Sequence, residues 1–147
     1  MNETKKMDSV LARAGRRREW TGASISPPIW RASTLSFSSL EEMEAASPRD
    51  GCFYYGRQGT PTHWAFAEAL TALEPGAGGT KLYPSGLAAM THAMLAATRP
   101  GDQIFIPDCA YGPTRAFADG VLAKNGVHVT YYDPMIGDEL AALLGPD

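Results

Sequence analysis

The chain has 147 residues, 44% hydrophobic and 20% charged, with a formal net charge of −3. That is the balance of a globular protein of one domain at most, and it gives no electrostatic ground for binding nucleic acid or an anionic membrane. No stretch approaches the run of about 18 apolar residues that spans a bilayer, and the start Met-Asn-Glu-Thr-Lys-Lys lacks the apolar core of a secretory signal.

Cys52 and Cys109 stand far apart, and His63, His92 and His128 are isolated, so no metal-ligand spacing is present. A reduced, cytoplasmic protein without a metal is the expectation.

From the amino terminus, a helix is expected over 8–17, with the cluster Arg16-Arg17-Arg18 at its end reading as a solvated face. Ser24-Ile25-Ser26-Pro27-Pro28 forces extended backbone, and 29–37 can stay extended. Ser38 or Ser39 can cap a brief helix through Leu40-Glu41-Glu42-Met43-Glu44, which Pro48 and Gly51 then stop. Residues 1–59 carry few apolar residues at regular spacing. They read as an arm that builds no core of its own and lies across something else, a partner subunit for instance.

The pattern changes at Thr60, a cap with Pro61 in the first helical position. Phe66, Leu70 and Leu73 then form one apolar stripe, and Pro75-Gly76 ends the helix. Strands are expected over 80–83, 103–106 and 127–132, alternating with helices over 87–97 and 113–124. Asn125-Gly126 supplies a left-handed helix stop, and Asp138 can cap a last helix with Leu140, Leu143 and Leu144 on one face. This alternation is an α/β pattern with a mainly parallel sheet. At most three strands are in hand where an open parallel sheet normally has more, so the α/β fold of 60–147 is expected to be incomplete.

Ligands in such folds sit at the carboxyl ends of strands, where both Ser85-Gly86 and the loop from Asp108 to Gly112 fall. A helix start leaves backbone N–H groups unpaired beside a partial positive charge, and Gly86 has no side chain to keep an anion away. Ser85-Gly86-Leu87 can therefore seat a phosphate, or Ser85 can simply cap the helix. Tyr55 and Arg57, two residues apart in a glycine-bearing loop, point the same way if that loop is extended. Arg57 offers a planar fork suited to phosphate and Tyr55 a further hydroxyl; the alternative is a surface loop with an aromatic anchor. Tyr111 can lay its ring beside a flat heterocycle or place its phenol near a reacting proton, or it can pack on the sheet.

Taken in order, Tyr55-Gly56-Arg57-x-Gly59-x-Pro61-Thr62, Pro84-Ser85-Gly86-x-Ala88-Ala89, Gly101-Asp102-x-Ile104 and Tyr111-x-Pro113-Thr114-Arg115 resemble the cysteine and methionine metabolism family of pyridoxal-phosphate enzymes, of fold type I. Arg31-Ala32-Ser33-Thr34-Leu35, Gly112-Pro113-Thr114-Arg115 and the stretch from Val129 to Gly137 are similar to its cystathionine β-lyase branch rather than to γ-acting relatives. The resemblance covers essentially the whole chain but little more than the first third of a complete member.

It implies an extended arm (1–59) with intersubunit contacts, then the first βα units (60–147) of an aspartate aminotransferase-like, pyridoxal-phosphate-binding large domain. By that resemblance Tyr55 and Arg57 reach the cofactor phosphate of a neighbouring subunit, and the backbone of Gly86 and Leu87 holds the phosphate within the same subunit. Tyr111 stacks on the pyridine ring and assists proton handling; Tyr55 and Tyr111 are the catalytic candidates. The implied reaction is α,β-elimination of cystathionine to homocysteine, pyruvate and ammonia, in a cytoplasmic homotetramer (a dimer of dimers) serving trans-sulfuration and methionine biosynthesis.

The family also uses a Schiff-base lysine, an aspartate facing the pyridine nitrogen and an arginine for the substrate carboxylate. Lys5, Lys6, Lys81 and Lys124 do not stand in the family's lysine setting. The chain therefore reads as an amino-terminal portion, inert alone. The alternatives are a non-catalytic remnant or subunit-binding fragment, and a related cysteine-S-conjugate or γ-acting member. A nucleotide site is disfavoured, because no Gly-x-Gly-x-x-Gly follows a strand and no Walker lysine is present.

Overall fold

The computed structural model describes residues 7–46 and 53–144. Lys5, Lys6, Pro48, Gly51 and Cys52 lie outside the described residues. The chain divides into two units, one running to Leu82 and the other beginning at Tyr83.

The described residues of the first unit form α1 (Met7–Arg13), α2 (Arg18–Thr21), α3 (Leu40–Ala45) and α4 (Pro61–Thr71). The single helix expected over 8–17 is broken at Gly15. There φ is +71°, and a Cβ would stand 2.0 Å from the carbonyl oxygen of Ala65, so the break is where α4 backbone passes closest. Ser39 caps α3 as expected, accepting from the N–H of Glu42 at 3.1 Å. Pro61 opens α4, but the Thr60 hydroxyl bonds Nδ1 of His63 at 2.9 Å instead of a backbone N–H.

Aromatic edges, rather than periodic aliphatics, hold this unit together. Trp64 of α4 meets Trp20 at 6.2 Å and Phe53 at 6.0 Å, and Phe53 meets Trp30 edge-on at 5.3 Å. Thr62 latches the extended segment: its hydroxyl donates to the Pro28 carbonyl and accepts from the Trp30 N–H, both at 2.8 Å. Irregularly spaced rings of residues 1–59 thus pack on Trp64 of α4, a contact that regular spacing does not reveal. The expected Phe66 stripe is also corrected, since Phe66 is 56% exposed while Ala65 is buried.

The second unit contains α5 (Gly86–Ala97), β1 (Gln103–Pro107), α6 (Gly112–Phe117), β2 (His128–Tyr132) and α7 (Leu140–Leu143). β1 and β2 pair in parallel, with Ile104 opposite Val129 and Ile106 opposite Tyr131. The period of two puts these four on one face, where they pack on Ala118, Leu122, Val127, Met94 and Phe117. Leu122, only 1% exposed, is the centre of that core. The expected strand over 80–83 does not form: those residues carry no ladder, because an extended segment becomes a strand only when a neighbour accepts its hydrogen bonds.

The helix expected over 113–124 is α-helical only through Phe117, and a π-helical turn (Ala118–Leu122) and a 3₁₀ turn (Ala123–Asn125) follow. Asp119 and Gly120, both poor helix formers, sit where the ladder loosens. Gly126 closes the element at φ +84°, the left-handed stop expected there. Asp138 caps nothing: it lies inside a 3₁₀ turn (Gly137–Glu139), and α7 follows directly, with Leu143 and Leu144 exposed.

Candidate functional site

α5 begins with a side-chain cap. Ser85 is extended (φ −158°, ψ 159°) and its hydroxyl accepts from the N–H of Ala88 at 3.1 Å. Its carbonyl takes the N–H of Ala89 at 3.0 Å. The N–H groups of Gly86 and Leu87 precede any intrahelical acceptor and face out of the helix end. Gly86 has an ordinary negative φ, and a Cβ there would meet nothing within 4 Å. Neither backbone geometry nor a neighbour within the unit requires glycine at this position. The open approach to two N–H donors at a positive dipole end fits a phosphate group. Tyr83 packs on His92 of α5, ring centres 4.8 Å apart, and His92 bonds the Ala88 carbonyl at 2.7 Å, so the lead-in is tied to its own helix.

Tyr111 stands at the carboxyl end of β1, as the N-cap of α6, with its side chain 68% exposed. Its carbonyl receives the N–H of Thr114 at 2.8 Å and of Arg115 at 3.2 Å. The Thr114 hydroxyl reaches Sδ of Met90 at 2.9 Å, which sets the first turn of α6 beside the second turn of α5. The Thr114–Met90 contact thus joins α5, which opens on the backbone donors of Gly86 and Leu87, to α6, which opens on the exposed ring of Tyr111.

Tyr55 and Arg57 belong to the first unit and do not share a face. The extended loop assumed from the sequence is a 3₁₀ turn (Gly56–Gln58), so the two-residue alternation does not apply. Gly56 is buried, donates its N–H to the Ser33 carbonyl at 2.8 Å, and would put a Cβ 1.9 Å from the carbonyl oxygen of Ala32. That close approach bends the chain between the two side chains. Tyr55 lines a cleft with Leu35, Phe37, Met43 and Tyr54. Arg57 lines another of about 820 Å³ with Trp20, His63, Trp64, Glu68 and Lys81.

Arg115 stands in the family motif without a role assigned from sequence, and the structure gives it one set of contacts. Its Nη1 donates to the Asp108 carbonyl at 2.6 Å, and its guanidinium lies 4.5 Å over the ring of Tyr131. The Tyr131 hydroxyl donates to Oδ1 of Asp119 at 2.8 Å. Desolvation, then the bond to Asp119 and its negative charge, raises the Tyr131 phenol above its ordinary value. The signal for Arg115 was its place four residues after Tyr111, one helical turn back toward the same loop. Among the described residues no group of three or more His, Cys, Asp or Glu converges as a metal set, and no helix is long and apolar enough to cross a membrane.

The family model described as Cys/Met metabolism PLP-dependent enzyme matches residues 8–147. A cystathionine beta-lyase from Haemophilus influenzae is 38% identical over 143 residues, covering 96% of this chain and 36% of the relative. The chain thus spans little more than a third of that relative's length. Among solved structures, metB from Corynebacterium glutamicum is 30% identical with a TM-score of 0.79, covering 95% of this chain and 34% of its own. A cystathione gamma lyase (CalE6) from Micromonospora echinospora is 31% identical with a TM-score of 0.74, over 95% of this chain and 34% of that one.

Proposed function

We propose, for a chain that belongs to the Cys/Met metabolism PLP-dependent enzyme family, that it forms the amino-terminal part of a cystathionine β-lyase. In this reading residues 1–59 are an intersubunit arm and 60–147 the beginning of the cofactor-binding domain. What supports it is the pair of open N–H groups at the start of α5 (Gly86 and Leu87) and the exposed ring of Tyr111 at the start of α6, the helix that Thr114 joins to α5.

When bound, pyridoxal phosphate supplies a ring that accepts the charge developing at Cα during α,β-elimination. This chain's residues do the holding. Gly86 and Leu87 donate their N–H groups to the phosphate. The Tyr111 ring covers one face of the pyridine, and its phenol holds or moves a proton near the substrate amino group. Tyr55 and Arg57 serve the phosphate of a second copy, Arg57 through its planar fork. The substrate is the amino acid cystathionine, the products are homocysteine, pyruvate and ammonia, and the complete enzyme is a cytoplasmic dimer of dimers.

We read none of the four lysines as the covalent partner of the cofactor, so these residues bind it without turnover by themselves. A γ-acting reaction is the second reading, supported by the likeness to the Micromonospora enzyme at 31% identity.

The test uses 4′-deoxypyridoxine 5′-phosphate, which lacks the aldehyde and cannot bond a lysine. Equilibrium dialysis is expected to give saturable binding that inorganic phosphate competes away. Absence of saturable binding sinks the phosphate seat. Borohydride trapping of pyridoxal phosphate on Lys81 or Lys124, located by peptide mapping, would overturn the assignment of the covalent lysine elsewhere.

A further inference from the structure

Tyr111 projects from a turn in which Ala110 packs against the core while its neighbours are open to water. Asp108 and Tyr111 are exposed, and the turn is held by a few polar contacts: the Asp108 N–H to the Tyr132 carbonyl at 2.8 Å, and the Ala110 N–H to the Pro107 carbonyl at 2.9 Å. Among the described residues, Arg115 is the side chain that hydrogen-bonds into it. Its Nη1 takes the carbonyl at the start of the turn (Asp108, 2.6 Å), and its backbone N–H takes the carbonyl at the end (Tyr111, 3.2 Å).

The guanidinium is itself held from below. It lies on the face of Tyr131, a strand residue whose hydroxyl is anchored on Asp119, so the flat fork has one supported orientation. A charged donor on a carbonyl makes a stronger bond than a neutral one, and the stacked plane loses little further freedom in making it.

Resting on the reading of Tyr111 as the cofactor-facing ring, we propose that Arg115 is its positioning residue, clamping the Asp108–Tyr111 turn across the Tyr131 ring so that the phenol is presented in one orientation. Arg115 acts through Tyr111 and touches neither phosphate nor substrate.

The experiment is a double-variant cycle on the full chain: Tyr111→Ala, Arg115→Met, the pair combined, and Arg115→Lys. Two measurements are made: affinity for 4′-deoxypyridoxine 5′-phosphate, and amide hydrogen exchange across 108–115. If Arg115 acts through Tyr111, each single variant weakens binding by about three- to tenfold, the worth of an aromatic contact. The combined variant is then no weaker than Tyr111→Ala alone. Arg115→Lys restores part of the loss, since it keeps a charged donor and loses the stacked fork. Exchange rises at 110–115 in Arg115→Met, while β1 and β2 amides keep their protection, which a general loss of fold would not allow.

Additive losses in the combined variant overturn the proposal, because they make Arg115 an independent ligand of the probe. So does an Arg115→Met variant with unchanged affinity while Tyr111→Ala is weakened; the reading of Tyr111 then stands alone. Should Tyr111→Ala bind as wild type, or nothing bind the probe, the reading of Tyr111 fails and the exchange data decide. Turn amides loosened in Arg115→Met with the strands intact support the clamp, and unchanged turn amides overturn it.

Discussion

Gly86→Asp separates the helix cap seen at Ser85 from the phosphate seat proposed for Gly86 and Leu87. A Cβ at position 86 meets nothing within 4 Å and the backbone φ is ordinary, so the aspartate enters without strain. An acid in the first helical turn lies against the positive dipole end and stabilises by about 0.3–1 kcal/mol, with a few tenths more from replacing glycine in a helix. A bound phosphate feels the opposite effect. At an effective dielectric of ~20, two unit charges ~6 Å apart repel by roughly 3 kcal/mol, and exposure of the helix end to water reduces that to about 1–2.

The variant is therefore expected to melt a few degrees higher and to bind 4′-deoxypyridoxine 5′-phosphate about five- to thirtyfold more weakly. Gly86→Asn, similar in size and uncharged, should lose much less, and added salt should narrow the gap between the two. Thermal melts followed by circular dichroism and equilibrium dialysis measure both sides. An aspartate variant that binds the probe as tightly as wild type refutes the phosphate seat. One that is less stable than wild type refutes the open geometry assigned to Gly86.

Gly56→Ala forces a methyl to within 1.9 Å of the Ala32 carbonyl oxygen and should cost about 1–3 kcal/mol in urea unfolding, with Trp fluorescence changing as the ring cluster loosens. Thr62→Val removes the latch on Pro28 and Trp30 while keeping the shape, and because neither partner is buried the two lost bonds should cost about 0.5–1.5 kcal/mol by the same assay. Tyr131 supplies a pH dependence. Its folded value is raised, so the folded state holds that proton more tightly. The stability it contributes is complete below the ordinary tyrosine value of 10.0 and is lost as pH rises through the raised one. Asp119→Asn should flatten that alkaline decline in melts taken from neutral pH upward, and an unchanged slope would remove Asp119 from the network.

Local chemistry was legible wherever a residue and its immediate neighbours settle the matter. Ser39 and Ser85 cap, Pro61 opens a helix, Gly126 ends one, and the two strands around Ile106 and Val129 follow their apolar runs. The motifs likewise led to the family that the matching of residues 8–147 bears out, together with the α/β character of the chain. Features that depend on a distant neighbour were not legible. Residues 80–83 are apolar enough for a strand, yet a strand needs a second segment to hydrogen-bond with. The break at Gly15 reflects the passage of Ala65, fifty residues on.

The candidate site divides along the same line. The residue types and their order suffice to nominate Gly86, Leu87 and Tyr111, because backbone donors at a helix start and an aromatic after a strand are properties of short segments. Tertiary structure decided that Thr114 and Met90 meet, joining the two helices that Gly86 and Tyr111 open. It also decided that close approach to Ala32 bends Gly56 into a 3₁₀ turn, sending Tyr55 and Arg57 to separate clefts. Arg115 shows the same reason most simply. Four residues along a helix place it near the loop, but only the Tyr131 ring from the adjacent strand gives its fork a direction.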